Sequence, residues 1–199
     1  AAVLAVSAIA IGAALGAGTS AGIIGYLALT FSYSRWLKHI PYVELLAVTA
    51  GFVLRVAVGA LATGTTLSVP FLVVVAAGAF FLAAGKRYSE LLELGPHPGR
   101  HRPVLEHYGL GRLSRLLAAS LGVAVLGYGA WALGVEPPTW SAPWLVLSSI
   151  PVLFAAAWTR RRIVTGHGGD PTELLLSERA LHVAGAAAAV CVIAGLYLT

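Results

Sequence analysis

The sequence has no methionine, one cysteine (Cys191), one aspartate (Asp170) and only 11% charged residues over its 199 positions. That charged share is under half of the roughly 25% usual in soluble globular domains. It excludes an ordinary soluble enzyme and a disordered polypeptide. A lone cysteine excludes a disulfide scaffold, and inside an apolar run Cys191 reads as a small core or lipid-facing side chain. Without methionine the start codon is not represented. Residue 1 opens directly into an apolar run, with none of the basic leader that a signal peptide carries. The chain is therefore expected to begin inside a longer one.

What fills the sequence is apolar: 58% hydrophobic residues and a mean hydropathy of +0.85. The apolar residues fall in long blocks, and about 20 of them cross a hydrocarbon core of about 30 Å. Seven blocks qualify, at approximately 2–17, 20–36, 42–62, 70–86, 113–134, 142–159 and 179–198. They are unbroken, rich in Ala, Leu and Gly, and lack the period-two alternation of barrel strands. The fold class expected is all-α, a multi-span transmembrane helical bundle in one domain over 1–199. Small residues four apart, Gly12 with Gly16 and Gly185 with Ala189, would let helix backbones approach closely in lipid.

The net charge of +5 comes from 13 Lys and Arg against 8 acids. In a soluble domain that balance would suggest nucleic acid; here it reads as topology, and no nucleic-acid partner is expected. Twelve of the 13 basic residues sit at alternate connections, from Arg35 and Lys38 through Lys86–Arg115 to Arg160–Arg162 and Arg179. The positive-inside rule makes those connections cytoplasmic, at approximately 36–41, 87–112 and 160–178. The expected setting is multi-pass in the plasma membrane, with the active face cytoplasmic and the C-terminus outside. Function is expected at the cytoplasmic mouth, where the polar residues gather.

Arg55 is the thirteenth basic residue and lies inside the apolar stretch Val48–Leu61. An Arg at membrane depth costs about 2.5–3.5 kcal/mol by insertion scales and usually faces a polar cavity or partner. Snorkelling or structural pairing is the alternative. Pro41 is read as able to open a short interfacial helix before that span. Lys38 either anchors the second span or points into the bundle mouth. Lys86, Arg87 and Tyr88 close the fourth span: a compact cation, a guanidinium fork and a phenol suit a phosphate or diphosphate. A stop-transfer anchor is the alternative, and Lys86 with Glu90, four apart, could be self-paired. His97, His101 and His107 lie beside Pro96 and Pro98 with no Cys or Asp, and read as solvated loop residues. Asp170, before Thr172 and Glu173, reads more simply as a helix cap than as a cation ligand. The Arg160–Arg162 triplet reads as a topology determinant or an anionic-lipid contact. No Asp-rich pair, G-x-S-x-G, H-E-x-x-H or CxxC motif is present, so no magnesium cage is apparent.

The strings Tyr33-Ser34 … Leu37-Lys38-His39, Leu54-Arg55 … Gly59 and Ala84-Gly85-Lys86-Arg87-Tyr88 … Glu90-Leu91 resemble the UbiA prenyltransferase superfamily. Gly166 … Gly168 … Pro171 … Glu173 extends the likeness, which covers nearly the whole chain. The branch most resembled is that of the decaprenyl-phosphate phosphoribosyltransferases. The resemblance implies a nine-helix membrane fold, of which the seven blocks would be helices three to nine. It also implies Mg2+, held with the donor diphosphate by an Asp-rich motif that would lie upstream of residue 1, so the fragment itself is expected to be inactive. Prenyl-diphosphate-using relatives carry a second Asp-rich motif where this chain has Lys86-Arg87-Tyr88. That difference favours a phosphate-bearing lipid acceptor.

The implied reaction transfers phosphoribose from phosphoribosyl diphosphate to a polyprenyl (decaprenyl) phosphate, for a cell-wall arabinan precursor. By resemblance Lys38 and Arg55 would hold the donor phosphates. Arg55 and Arg87, with Lys86 and Tyr88 as second choices, would hold the lipid phosphate. Glu173 and Glu178 stand near positions where relatives tend to have Asp. The competing readings are a UbiA-type prenyltransferase acting on an aromatic acceptor, and a small-solute transporter, which the lack of an apparent inverted repeat disfavours. Homo-oligomerisation is left open.

Overall fold

The computed structural model describes residues 2–94, 103–134, 142–166 and 171–197. The described chain is helical, with no strand among the described residues: α1 (Ala2–Leu15), α2 (Ala17–Arg35), α3 (Val43–Thr63), α4 (Val69–Leu94), α5 (Leu110–Gly134), α6 (Ala142–Leu147), α7 (Ser149–Val164), α8 (Pro171–Ser177) and α9 (Arg179–Tyr197). Single helical turns at Leu37–His39 and Pro103–His107 complete it. The all-α bundle is as expected. Each of the seven apolar blocks corresponds to a helical stretch, with α6 and α7 sharing the sixth. Among the described residues α3, α4 and α5 are long and apolar enough to cross a membrane, which supports a membrane protein.

The breaks between helices have local causes. Gly16, at φ 126, separates α1 from α2 in a region that L side chains avoid. Gly64, left-handed at φ 67, ends α3 as a C-terminal cap. Pro151 has no N–H and its ring crowds the carbonyl four residues back, at Leu147. α6 stops at Leu147, and Ser148 carries the break, accepting or donating a 2.7 Å hydrogen bond with the Tyr128 hydroxyl.

Two sequence expectations shift here. α4 continues beyond residue 86 to Leu94, so Lys86, Arg87 and Tyr88 lie on its last turns and not in a loop. The short helical turn near Pro41 precedes that proline, at Leu37–His39. A third expectation divides. A Cβ on Gly12 would lie 3.3 Å from the Ser20 backbone, the close approach the spacing implied, whereas Gly16 and Gly185 have no neighbour within 4 Å. Closer still, a Cβ on Gly22 would sit 2.5 Å from Val58, where α2 crosses α3.

Consecutive helices pack side by side, and α4 also touches α7 and α8, so the row curls back on itself. The densest packing lies at one end of the bundle. Leu45, Phe81, Ala84, Tyr88, Leu105 and Leu113 form its centre, joined by Ile163 and Leu174. Away from that end, large apolar side chains such as Leu126 and Val190 stand exposed, as lipid-facing residues do. The packed end is also the end that carries the basic clusters.

Candidate functional site

Arg55 lies in the middle of α3, and its position explains how a cation is tolerated there. Its guanidinium carbon sits 4.8 Å from the Tyr26 ring centre and 5.0 Å from that of Phe52. It also donates a hydrogen bond to the Tyr26 hydroxyl across the α2–α3 seam. Cation–π contacts of this kind stabilise a guanidinium that has lost part of its hydration, by about 0.5–2 kcal/mol. A pocket of about 160 Å³ opens beside it, lined by Tyr26, Thr30, Tyr33, Gly51, Phe52 and Arg55. Arg55 itself remains exposed, so its charge is available to an anion. A Cβ on the buried Gly51 would lie 3.8 Å from the Tyr26 ring, so the glycine keeps the wall between the two helices thin.

A second polar cluster forms at the packed end, on residues that begin α3 and end α4. Glu44 is fully buried. Its Oε1 lies 2.9 Å from Arg87 Nε, an ion pair whose N–H is not aligned as a hydrogen bond. Arg87 also pairs with Glu90, one turn along α4. The Tyr108 hydroxyl donates to Glu44 Oε1 at 3.2 Å and accepts the backbone N–H of Tyr42 at 2.8 Å. The Tyr42 and Tyr108 rings meet edge to face, 5.0 Å apart. Tyr42 stands at φ 63 and ψ −37, a positive-φ conformation that costs a non-glycine residue on the order of 1–3 kcal/mol. Burial pushes the Tyr108 phenol up to about 12, with the nearby Glu44 carboxylate adding to it. The phenol therefore stays protonated and able to donate.

The expected site residues are divided between these surroundings. Arg55 and Lys86 are exposed, and Lys38 is half-buried in the turn that links α2 to α3. Arg87 and Tyr88 are buried, Arg87 between two carboxylates and Tyr88 in the core. Glu90, the acid four residues beyond Lys86, is paired with Arg87 at i, i+3. Arg162 bonds Glu178 through Nε at 2.9 Å and so ties α7 to the start of α9. His107 is exposed. His97, His101, Asp170 and Gly168 lie outside the described residues.

Sequence reasoning passed over Tyr26, Glu44 and Tyr108. Glu44 had a signal: it is the first acid of the chain, the next being Glu90. An acid that is isolated within apolar sequence points to a cationic partner. Tyr26 and Tyr108 had none, because a tyrosine in a membrane helix or at its end reads as an interfacial anchor.

No group of three His, Cys, Asp or Glu side chains among the described residues could hold a metal ion. Glu44, Glu90 and Glu178 are each engaged by an arginine. The described residues thus do not fit a magnesium site. What they present is cationic: Lys38, Arg55 and Lys86, a set suited to oxyanions.

No family model matches the chain. Among curated proteins it is 33% identical over 178 residues to a decaprenyl-phosphate phosphoribosyltransferase of Corynebacterium glutamicum, covering 88% of this chain and 54% of that protein. Proteins of the same name from Mycobacterium tuberculosis and Mycolicibacterium smegmatis are 34% and 32% identical, over 81% and 79% of the chain. The chain spans about half the length of the curated relatives it matches. The resemblance to the decaprenyl-phosphate phosphoribosyltransferases is borne out, and it is consistent with the UbiA superfamily.

Proposed function

We propose that this chain, as kin of the decaprenyl-phosphate phosphoribosyltransferases, forms the phosphate-gripping part of an integral-membrane phosphoribosyltransferase. The carrying observation is the similarity to the Corynebacterium protein across 88% of the chain. The donor is 5-phosphoribosyl 1-diphosphate and the acceptor a polyprenyl phosphate. An oxygen of the lipid phosphate bonds to C1 of the ribose. The bond from C1 to the diphosphate oxygen breaks, and diphosphate leaves with the electron pair. The product would serve as a precursor of cell-wall arabinan.

Both reactants are anions, so the protein must hold two negative groups close together and steady the charge that grows on the leaving diphosphate. Lys38 and Arg55 hold the donor phosphates in this reading. Tyr26 keeps the Arg55 guanidinium facing the pocket between α2 and α3. Arg55 and Lys86 receive the lipid phosphate. Arg87 and Tyr88 belong to the same assignment, although Arg87 would reach the phosphate only by loosening its carboxylate pairs. Magnesium dependence is part of the proposal, with ligands outside the described residues, and no step above is routed through the metal. The basic end faces the cytoplasm of a multi-pass plasma-membrane protein, with the C-terminus on the opposite side.

The test is the formation of polyprenylphosphoryl-phosphoribose from labelled donor and polyprenyl phosphate by the complete protein in membranes. Labelled lipid product supports the reading. Hydrolysis of the donor without lipid product, or label on an aromatic acceptor, overturns it.

A further inference from the structure

We propose that Glu44 is a positioning residue for the donor phosphates: acting through Tyr108, it fixes the turn that carries Lys38. The inference rests on the phosphoribosyl-transfer reading, which gives Lys38 a phosphate to hold. It deepens that reading by naming what aims the lysine.

Lys38 sits on an irregular connection. α2 ends at Arg35, one helical turn spans Leu37–His39, and Pro41 with Tyr42 reverses the chain into α3. The reversal depends on Tyr42 at φ 63. Such a conformation persists in a non-glycine residue only where its surroundings hold it. Here the hold is specific. The Tyr42 N–H donates to the Tyr108 hydroxyl at 2.8 Å, and that hydroxyl donates to Glu44 Oε1 at 3.2 Å. The Glu44 oxygen takes the Tyr108 proton in that hydrogen bond, which leaves the phenol oxygen to accept from Tyr42. Arg87 Nε, 2.9 Å away, is the cationic partner that holds the Glu44 carboxylate in place.

The consequence reaches Lys38 and Arg55 together. Lys38 lies just before the reversal, and Arg55 lies three turns into the helix that follows it. The backbone angle at Tyr42 therefore sets where one cation stands relative to the other. A shift of one cation relative to the other weakens a grip that needs both of them. Glu44 is fully buried and does not line the pocket beside Arg55, so it acts through its neighbours and not on the substrate.

The complete protein in membranes carries the test, in four forms: unsubstituted, Tyr108→Phe, Lys38→Ala and the double variant. Hydrogen exchange at the Tyr42 amide reports the hold directly, and donor KM and kcat report its use. Tyr108→Phe is expected to deprotect the Tyr42 amide and to raise donor KM about tenfold, the loss of one hydrogen bond, with kcat within about twofold. In the Lys38→Ala background the same substitution should leave KM unchanged, because there is no longer a lysine to aim. Equal effects of Tyr108→Phe in both backgrounds, or a KM unmoved while the amide is deprotected, would overturn the inference. Should Tyr108→Phe not fold, Glu44→Gln takes its place, with Glu44→Asp expected to recover part of the KM defect. No lipid product from the unsubstituted protein would overturn the phosphoribosyl-transfer reading instead. Affinity for inorganic diphosphate across the four forms then decides the positioning claim by the same comparison.

Discussion

The carboxylate of Glu44 and the guanidinium of Arg87 meet at 2.9 Å where α3 begins and α4 nears its end, and neither is more than 7% exposed. A pair so buried contributes little net stability, since desolvating two charges offsets most of their attraction. Removing one partner is a different matter.

Glu44→Leu should destabilise the protein by about 3–5 kcal/mol, because Arg87 is left charged and dry beside Glu90 alone. Glu44→Leu with Arg87→Met should recover much of that loss. Thermal unfolding of the two single variants and the double variant in detergent measures the coupling, and additive losses would disprove it.

Arg55 differs from a simple cation by its two rings and its bond to Tyr26. Arg55→Lys keeps the charge but loses the planar fork, so donor KM should rise about tenfold. Arg55→Ala loses the charge-assisted bonds as well and should cost about 100-fold. Tyr26→Phe should fall below both. The donor dependence of lipid-product formation ranks the three, and an equal effect of Lys and Ala would remove the fork from the account.

Tyr108 sets an alkaline limit. Burial holds its phenol at about 12, above the usual 10, so the folded protein keeps that proton more tightly than the unfolded chain does. The stabilisation is complete below pH 10 and is lost as pH rises through about 12, by at most about 3 kcal/mol. Unfolding midpoints across that window should fall more steeply in the unsubstituted protein than in Tyr108→Phe, which carries no such proton.

Gly22→Ala and Gly25→Ala make a matched pair on α2. A Cβ on Gly22 would stand 2.5 Å from the stiff Val58 side chain, whereas Gly25 has nothing within 4 Å. The first should cost about 1–3 kcal/mol through overpacking. The second should be neutral or stabilising, by up to about 1 kcal/mol of helix propensity. Unfolding of both variants in one detergent checks the ranking.

Much of this was legible beforehand. Long apolar runs and one-sided basic residues gave the bundle and its helical stretches, because hydrocarbon thickness and charge placement are one-dimensional signals. Arg55 stood out for the same reason. Its ring partner did not, since Tyr26 lies 29 residues away and only the crossing of α2 and α3 brings it there. Arg87 misled in the opposite direction: adjacent to Lys86 in sequence, it points to the other side of α4 and is buried while Lys86 is exposed. Helical geometry separates neighbours by about 100°, so a dense string of cations is not one patch. Where Gly12 packs and Gly185 does not, the four-residue spacing was the same and only the neighbouring helix differed.

The packing concentrated at one end of the bundle makes this protein a fan riveted at its charged rim. Bilayers differ in thickness, and helices answer by tilting or splaying, at fractions of a kcal/mol per Å. Here the helices beyond the clustered core should take up that strain first, while the rim around Leu45, Leu105 and Leu113 holds its spacing. The cations at the rim should therefore keep their mutual geometry from one membrane to another, and under the proposed reading lipid composition should alter stability well before it alters phosphate binding.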